Sequence, residues 1–278
     1  MKTPSSGIVA ALHQLGLIDK CDIHVHCLIR FLLYQRRKQL QFPFRNWFHS
    51  FCSFQFLYSL IHNNNLIESK SLSEILALSM LLATLCNGCA YGGATHRFQL
   101  ETGLVLASVY TSPGKRNEIY AVMKSIETMN YPDFNFMPNA SASSFREFVE
   151  LFDAMVLATD LADYTSNMEA FENVDIISKA STNEGKSRFC QLLMVCSKIS
   201  DHARQWEHAL ETGNRLYKEY HRSKQPTCST RILFVPEIDS LAMRAKLQSQ
   251  FITSICIPTF RALGKVFPDT ESYQLNME

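Results

Sequence analysis

Neither sign of charge dominates this chain: 27 basic residues stand against 26 acidic ones. Nothing in that balance calls for nucleic acid or an anionic membrane as a partner. Long apolar runs are missing as well. Arg, Gln, His or Glu interrupts every one of them short of the roughly 18 residues a bilayer span needs, so no membrane span is expected. No Gly/Ser/Pro-rich or highly charged linker divides the 278 residues, and a single domain covering 1–278 is the expectation. The N-terminus lacks a secretory signal pattern. The nine cysteines are odd in number and irregularly spaced, which fits reduced thiols in a cytoplasmic protein and leaves the sequon Asn139-Ala140-Ser141 unused. The phosphate-binding string G-x-x-x-x-G-K-[ST], the nucleophile elbow G-x-S-x-G and the dinucleotide fingerprint are all absent, which removes the commonest nucleotide-fold and hydrolase readings.

Two apparent metal motifs are weak. Cys86-Asn87-Gly88-Cys89 has C-x-x-C spacing, but no second pair or suitably spaced His follows, and coincidence is the better account. His24-Val25-His26 would set its two rings about 100° apart on a helix, a poor pair for one ion.

What the chain has is helical periodicity, with 46% apolar residues to build a core. Ile8, Val9, Leu12 and Leu15 mark a short helix over 7–20 that Gly16 loosens or ends. Ile23 to Lys38 forms the next, and Arg36-Arg37-Lys38 gives its last turn the positive charge a helix C-terminus favours. After Pro43 a helix carries Asn46 and His49 in its first turns. Asn63-Asn64-Asn65 is a turn, and Ser73 opens a helix that runs to Cys86, where Asn87-Gly88 breaks it. Further helices are expected over 98–110, 119–129, 145–171, 189–200, 202–221 and 240–266, with a loosely ordered loop over 130–144. No stretch alternates as a strand does. The expected fold is an all-α, compact multi-helix bundle of about ten helices.

The stretch that gives this bundle a purpose is Phe44-Arg45-Asn46-Trp47-Phe48-His49-Ser50. It resembles the Y-H-N-W-x-H-A motif of the cyclic-nucleotide phosphodiesterases. Four more segments resemble that family in order: Glu74-Ile75-Leu76-Ala77, Leu157-Ala158-Thr159-Asp160-Leu161, Leu193-Met194-Val195-Cys196, and Leu247-Gln248-Ser249-Gln250-Phe251 with Ile257-Pro258 behind it. The resemblance covers about 8–268 and leans toward the cyclic-GMP and dual-specificity members. It implies an all-α catalytic domain of that type, acting in signalling on cyclic AMP or cyclic GMP. It also implies a binuclear centre of zinc with magnesium or manganese.

The residues that should hold such a centre depart from the family pattern. The family's first His, a general acid, is Arg45 here. Its second, a zinc ligand, is retained as His49. L-C-H-D-x-D-H-R-G aligns with Leu85 to Gly93, so that Asn87 replaces a zinc-binding His, Gly88 replaces the Asp that bridges both metals, and Tyr91 replaces a further His. Lys198 stands where the last zinc-binding Asp belongs. An ammonium has no lone pair to donate, and at an effective dielectric of ~20 it repels a dication 4 Å away by roughly 8 kcal/mol. The Glu of T-L-E-H-H-H has no counterpart either, since the segment after Tyr110 offers Gly114, Lys115 and Arg116. No cofactor is therefore expected to bind.

The resemblance does retain the nucleotide-holding pair: a Gln that hydrogen-bonds the purine edge, here Gln248, and a Phe that stacks on its face, here Phe251. Three residues apart on a helix, they share a side. Without the matching neighbours the same pair reads as a core Phe beside a surface Gln. Three functions stay open at this point. They are a pseudoenzyme that keeps nucleotide or partner binding, an active phosphodiesterase with an altered site, and a structural partner that pairs as a homodimer or with an active relative. In the first, Arg45 and Lys198 would hold the cyclic phosphate while Gln248 and Phe251 hold the base.

Overall fold

In a computed structural model, residues 4–39, 42–88, 116–172, 182–223 and 240–278 are described, and helices and turns account for all of their regular structure. The chain is all-α. The helix readings over 98–110 and the substitution at Tyr91 fall outside the described residues. No helix among the described residues is long and apolar enough to cross a membrane, and none of the described cysteines forms a disulfide.

The described residues divide into two compact units that interleave along the sequence. The first holds α1 (Pro4–Gln14), α2 (Leu17–Lys20), α3 (Val25–Lys38), α4 (Trp47–Asn63), α5 (Glu74–Cys86), α6 (Arg116–Met129) and α7 (Ala142–Leu157). Gly16 separates α1 from α2 at φ 69°, the left-handed conformation that glycine adopts without a Cβ penalty. The centre of this unit is α5. Ser73 caps it by accepting from Leu76 N, and every residue from Ala77 to Cys86 is buried as it packs on α4 and α7. A fully buried Leu such as Leu81 contributes about 1.5–3 kcal/mol.

Two expectations need correction in this unit. Asn46 does not lie within α4 but caps it, its Oδ1 accepting from Phe48 N at 2.9 Å and His49 N at 3.2 Å. The loop over 130–141 is anchored instead of loose. Phe136 is buried with its ring 5.3 Å from Phe31 and 5.8 Å from Phe148, and its carbonyl accepts from His24 N. Apolar anchors in a Pro- and Asn-rich stretch outweigh its turn composition.

The second unit holds the segment 42–45, α8 (Leu161–Ser166), α9 (Glu169–Glu172), α10 (Asn183–Ile199), α11 (Trp206–Ser223), α12 (Leu241–Phe251), α13 (Ile257–Val266) and α14 (Glu271–Leu275). The helix expected over 145–171 is broken. Asp160 N and Thr159 N bond to carbonyls three residues back, and Thr159 Oγ1 donates to Val156 O, which tightens and ends α7. The helix expected over 240–266 carries a π-helical turn at Ile252–Cys256, where Ile257 N reaches back to Ile252 O. Its cause is Pro258, which has no N–H and whose ring crowds the carbonyl four residues back. At the core of this unit α10 buries Phe189, Leu192, Leu193 and Val195 and packs on α13. A 3-10 turn, Ser200–Ala203, follows α10, so His202 belongs to this turn and not to the next helix.

Candidate functional site

The first unit contains His49, Asn87 and Gly88. His49 is half-buried in the first turn of α4, placed there by the Asn46 cap. Asn87 follows the last turn of α5, and its Nδ2 donates to Thr159 Oγ1 at 2.8 Å. Gly88 is next, against a short polar chain that sequence reasoning missed. Gln39 is buried, its Nε2 donates to Leu85 O at 2.6 Å, and its Oε1 accepts from Ser50 Oγ at 3.1 Å. A Cβ added at Gly88 would lie 3.1 Å from Gln39 Oε1 and 3.2 Å from Ser50 Oγ. The space beside Gly88 is thus filled by the amide of Gln39.

The second unit contains Arg45, Lys198, Gln248 and Phe251. Arg45 is tied to Glu219, a buried carboxylate on α11. Glu219 Oε2 accepts from Phe44 N at 2.9 Å and Arg45 N at 2.8 Å, and its Oε1 lies 3.8 Å from Arg45 Nε. The guanidinium therefore has its counter-charge beside it. Lys198 is half-buried in the last turn of α10, a position where the helix dipole favours a cation.

Around His202 the second unit brings aromatic and amide groups together. The buried imidazole lies 5.2 Å from the Phe251 ring, edge to face, and 6.2 Å from Phe44. Gln248 Nε2 is 3.1 Å from His202 Nδ1. The Gln248 amide also rests on α11, where a Cβ at Gly213 would lie 3.5 Å from its Cδ and Oε1. Among the described residues Gln248 Oε1 is buried without a hydrogen-bond partner, and an unmet buried acceptor costs about 1–3 kcal/mol. Gln248 and Phe251 do share a helix side, as their spacing requires. The sequence signal that could have added His202 is its position four residues after Lys198 in the motif string.

Among the described residues no group of three or more His, Cys, Asp or Glu is placed to hold a metal ion. Burial pushes the Cys190 thiol up to about 12. Burial, with Glu74 adding to it, pushes the Cys21 thiol up to about 11.

The family described as 3'5'-cyclic nucleotide phosphodiesterase matches residues 44–277. The chain belongs to this family. It is 26% identical over 268 residues to the human "High affinity cGMP-specific 3',5'-cyclic phosphodiesterase 9A", covering 95% of this chain and 44% of that protein. To the Drosophila melanogaster protein of the same description it is 26% identical over 259 residues, covering 92% of this chain and 17% of that protein. The chain therefore spans less than half the length of these relatives. The phosphodiesterase domain of the RhoPDE fusion protein from the choanoflagellate Salpingoeca rosetta has the same fold, with a TM-score of 0.88 at 20% identity, covering 99% of this chain and 88% of that one.

Proposed function

We propose that this chain is a single phosphodiesterase-like domain that binds a cyclic nucleotide but does not hydrolyse it, acting in cytoplasmic signalling as a pseudoenzyme. The observation that carries this reading is the packing at Gly88. Where the family places a metal-bridging carboxylate there is no side chain, and Gln39 with Ser50 occupies the adjoining space. The other donor positions do not fit a two-metal centre either. Asn87 offers an amide already engaged with Thr159, Lys198 is a cation, and His49 alone falls short of the roughly four ligands a stable site needs. A guanidinium, which is what Arg45 places at the general-acid position, is a poor proton donor to a leaving oxygen. No step is assigned to a metal.

Binding has more support than cleavage. Phe251 supplies an aromatic face and Gln248 a polar amide on the same helix side, and Lys198 supplies the charge for a cyclic phosphate. Glu219 stands beside Arg45 and offsets its charge. Cyclic GMP is the first ligand to test, since it is named in the descriptions of the relatives.

The active-enzyme reading draws on those same descriptions, and the reading as a structural partner, in a homodimer or with an active relative, requires no nucleotide pocket. One set of measurements separates all three. The purified protein is assayed for hydrolysis of cyclic AMP and cyclic GMP with zinc, magnesium or manganese supplied, and titrated with each nucleotide calorimetrically under chelator. The expected result is no turnover together with binding that weakens roughly 10- to 150-fold in Lys198→Ala, the loss of one charge-assisted contact. Metal-dependent turnover that vanishes in His49→Ala would establish the enzyme instead. No heat at millimolar nucleotide would leave the structural partner.

A further inference from the structure

We propose that the outer face of α3, centred on Leu33, docks on a bilayer surface rich in anionic lipids, with Arg36, Arg37 and Lys38 meeting the headgroups. The inference concerns the first unit alone and does not depend on the nucleotide reading above.

The balance of charge over the whole chain hides a local asymmetry. From Ile23 to Ile67 the sequence has no Asp or Glu, and α1, which packs on α3, has none either. Within that stretch Arg36, Arg37 and Lys38 fill the last turn of α3, and all are exposed. Among the described residues none of them forms an ion pair. Lys38 Nζ lies instead 5.2 Å from the centre of the Tyr34 ring. A helix C-terminus carries the equivalent of about half a negative charge, which a single cation more than offsets. Capping therefore leaves an excess of about two positive charges on this face.

Apolar surface stands beside the charge. Leu33 is 47% exposed on the helix that buries Leu28 and Leu32 completely. Arg30 comes one turn before it, and Arg36 and Arg37 one turn after it, so cations flank a single exposed aliphatic side chain on both sides. The turn that follows α6 runs along the same face. Its Phe134 ring is 5.1 Å from Tyr34, and its Asp133 Oδ1 is 2.5 Å from Arg30 Nη1. Tyr131 on this turn is 58% exposed. Asp133 is thus engaged with Arg30 and not with the final turn of α3.

This combination selects among anionic partners. The phosphates of a lipid surface, those of a nucleic acid and the carboxylates of an acidic peptide all offer charge to the last turn of α3. A bilayer also buries Leu33 at its acyl boundary and accepts a tyrosine at headgroup level, whereas a phosphate backbone gains nothing from Leu33. From Arg30 to Arg37 the stripe is roughly 10 Å long on a straight helix, so a plane meets all of it at once. Association of this kind is reversible, each cation near the surface strengthening it about fivefold.

The test uses the whole chain, sedimented with vesicles of phosphatidylcholine alone or with about a third phosphatidylserine, at about 50 mM and about 500 mM salt. Binding should require the anionic lipid and be largely lost at the higher salt. Combining Arg36→Gln, Arg37→Gln and Lys38→Gln should lower the partition coefficient about a hundredfold. Leu33→Ser should lower it about tenfold and keep the salt dependence. Leu33→Trp should bind at least as tightly as the wild type, with its emission shifted to shorter wavelength on anionic vesicles only. All these positions are exposed, and circular dichroism verifies that each variant keeps the fold. An RNA oligomer and a polyglutamate peptide are titrated in parallel. Tighter binding of either than of the vesicles, with Leu33→Ser without effect, would overturn the bilayer in favour of that partner. No sedimentation with anionic vesicles, equal sedimentation with neutral ones, or a triple variant that partitions like the wild type would overturn the proposal outright.

Discussion

Gln39 Oε1 stands 3.1 Å from where a Cβ on Gly88 would be, and its own hydrogen bonds to Ser50 and Leu85 hold it there. A carboxylate at position 88 therefore meets a filled space. Gly88→Asp should destabilise the fold by about 1–3 kcal/mol through overpacking. Gln39→Ala in the same chain should recover part of that loss, so the pair will be non-additive in a double-mutant cycle. Urea denaturation of the wild type, both single variants and the double variant checks this, and strict additivity would show that the two sites do not compete for space.

Glu219 holds the backbone of Phe44 and Arg45 from a position 174 residues further along the chain than Arg45. Removing it in Glu219→Ala strands two backbone N–H groups and the Arg45 charge. The expected cost is about 1–3 kcal/mol. Glu219→Gln keeps an oxygen for the N–H groups but gives up the charge, and should cost less. Amide hydrogen exchange at Phe44 and Arg45 is the discriminating measurement: protection unchanged in Glu219→Ala would refute the tie.

Partial burial raises the carboxyl of Asp153 on α7 above its ordinary value. A raised carboxyl favours the folded state while it is protonated, below the unfolded value of about 3.9. As pH rises through the folded value that contribution is lost and the charge becomes a cost. Asp153→Asn should therefore raise the melting temperature at about pH 7 and leave it unchanged at about pH 3. Parallel melting curves at the two pH values test the sign, and an Asn variant that is less stable at neutral pH would contradict it.

Ser73 and Ser240 are legible as helix starts because their capping is local, each accepting an N–H three residues on. Asn46, Ser141 and Thr182 cap their helices in the same way, but apolar spacing alone places Asn46 inside its helix and starts the other two helices too late. The anchoring of Phe136 was not legible, since its partners Phe31 and Phe148 come from other elements. The same holds at the site. Gln248 and Phe251 can be paired from spacing alone, but His202 joins them across 46 residues and Glu219 reaches Arg45 across far more. Gln39 follows a basic helix end and has no motif around it. Its role emerges only when the end of α5 is packed beside it.

Restoring one donor should not restore a metal centre. Lys198→Asp replaces a repelling cation with a carboxylate, and by charge alone it is the most favourable single change toward metal binding. It leaves Asn87 donating to Thr159 and Gly88 without a side chain beside Gln39. Of the ligand positions that the motif resemblance assigns, at most His49 and the introduced carboxylate then carry a donor, against the roughly four that hold zinc stably. The expected outcome is that purified Lys198→Asp retains far less than one zinc per chain after dialysis and shows no cyclic-nucleotide hydrolysis. Adding Asn87→His and Gly88→Asp, with Gln39→Ala to open the space, should raise the bound zinc in steps. Elemental analysis of each variant gives the answer. Stoichiometric zinc in Lys198→Asp alone would mean that the ligands come from other residues than those the motif resemblance points to.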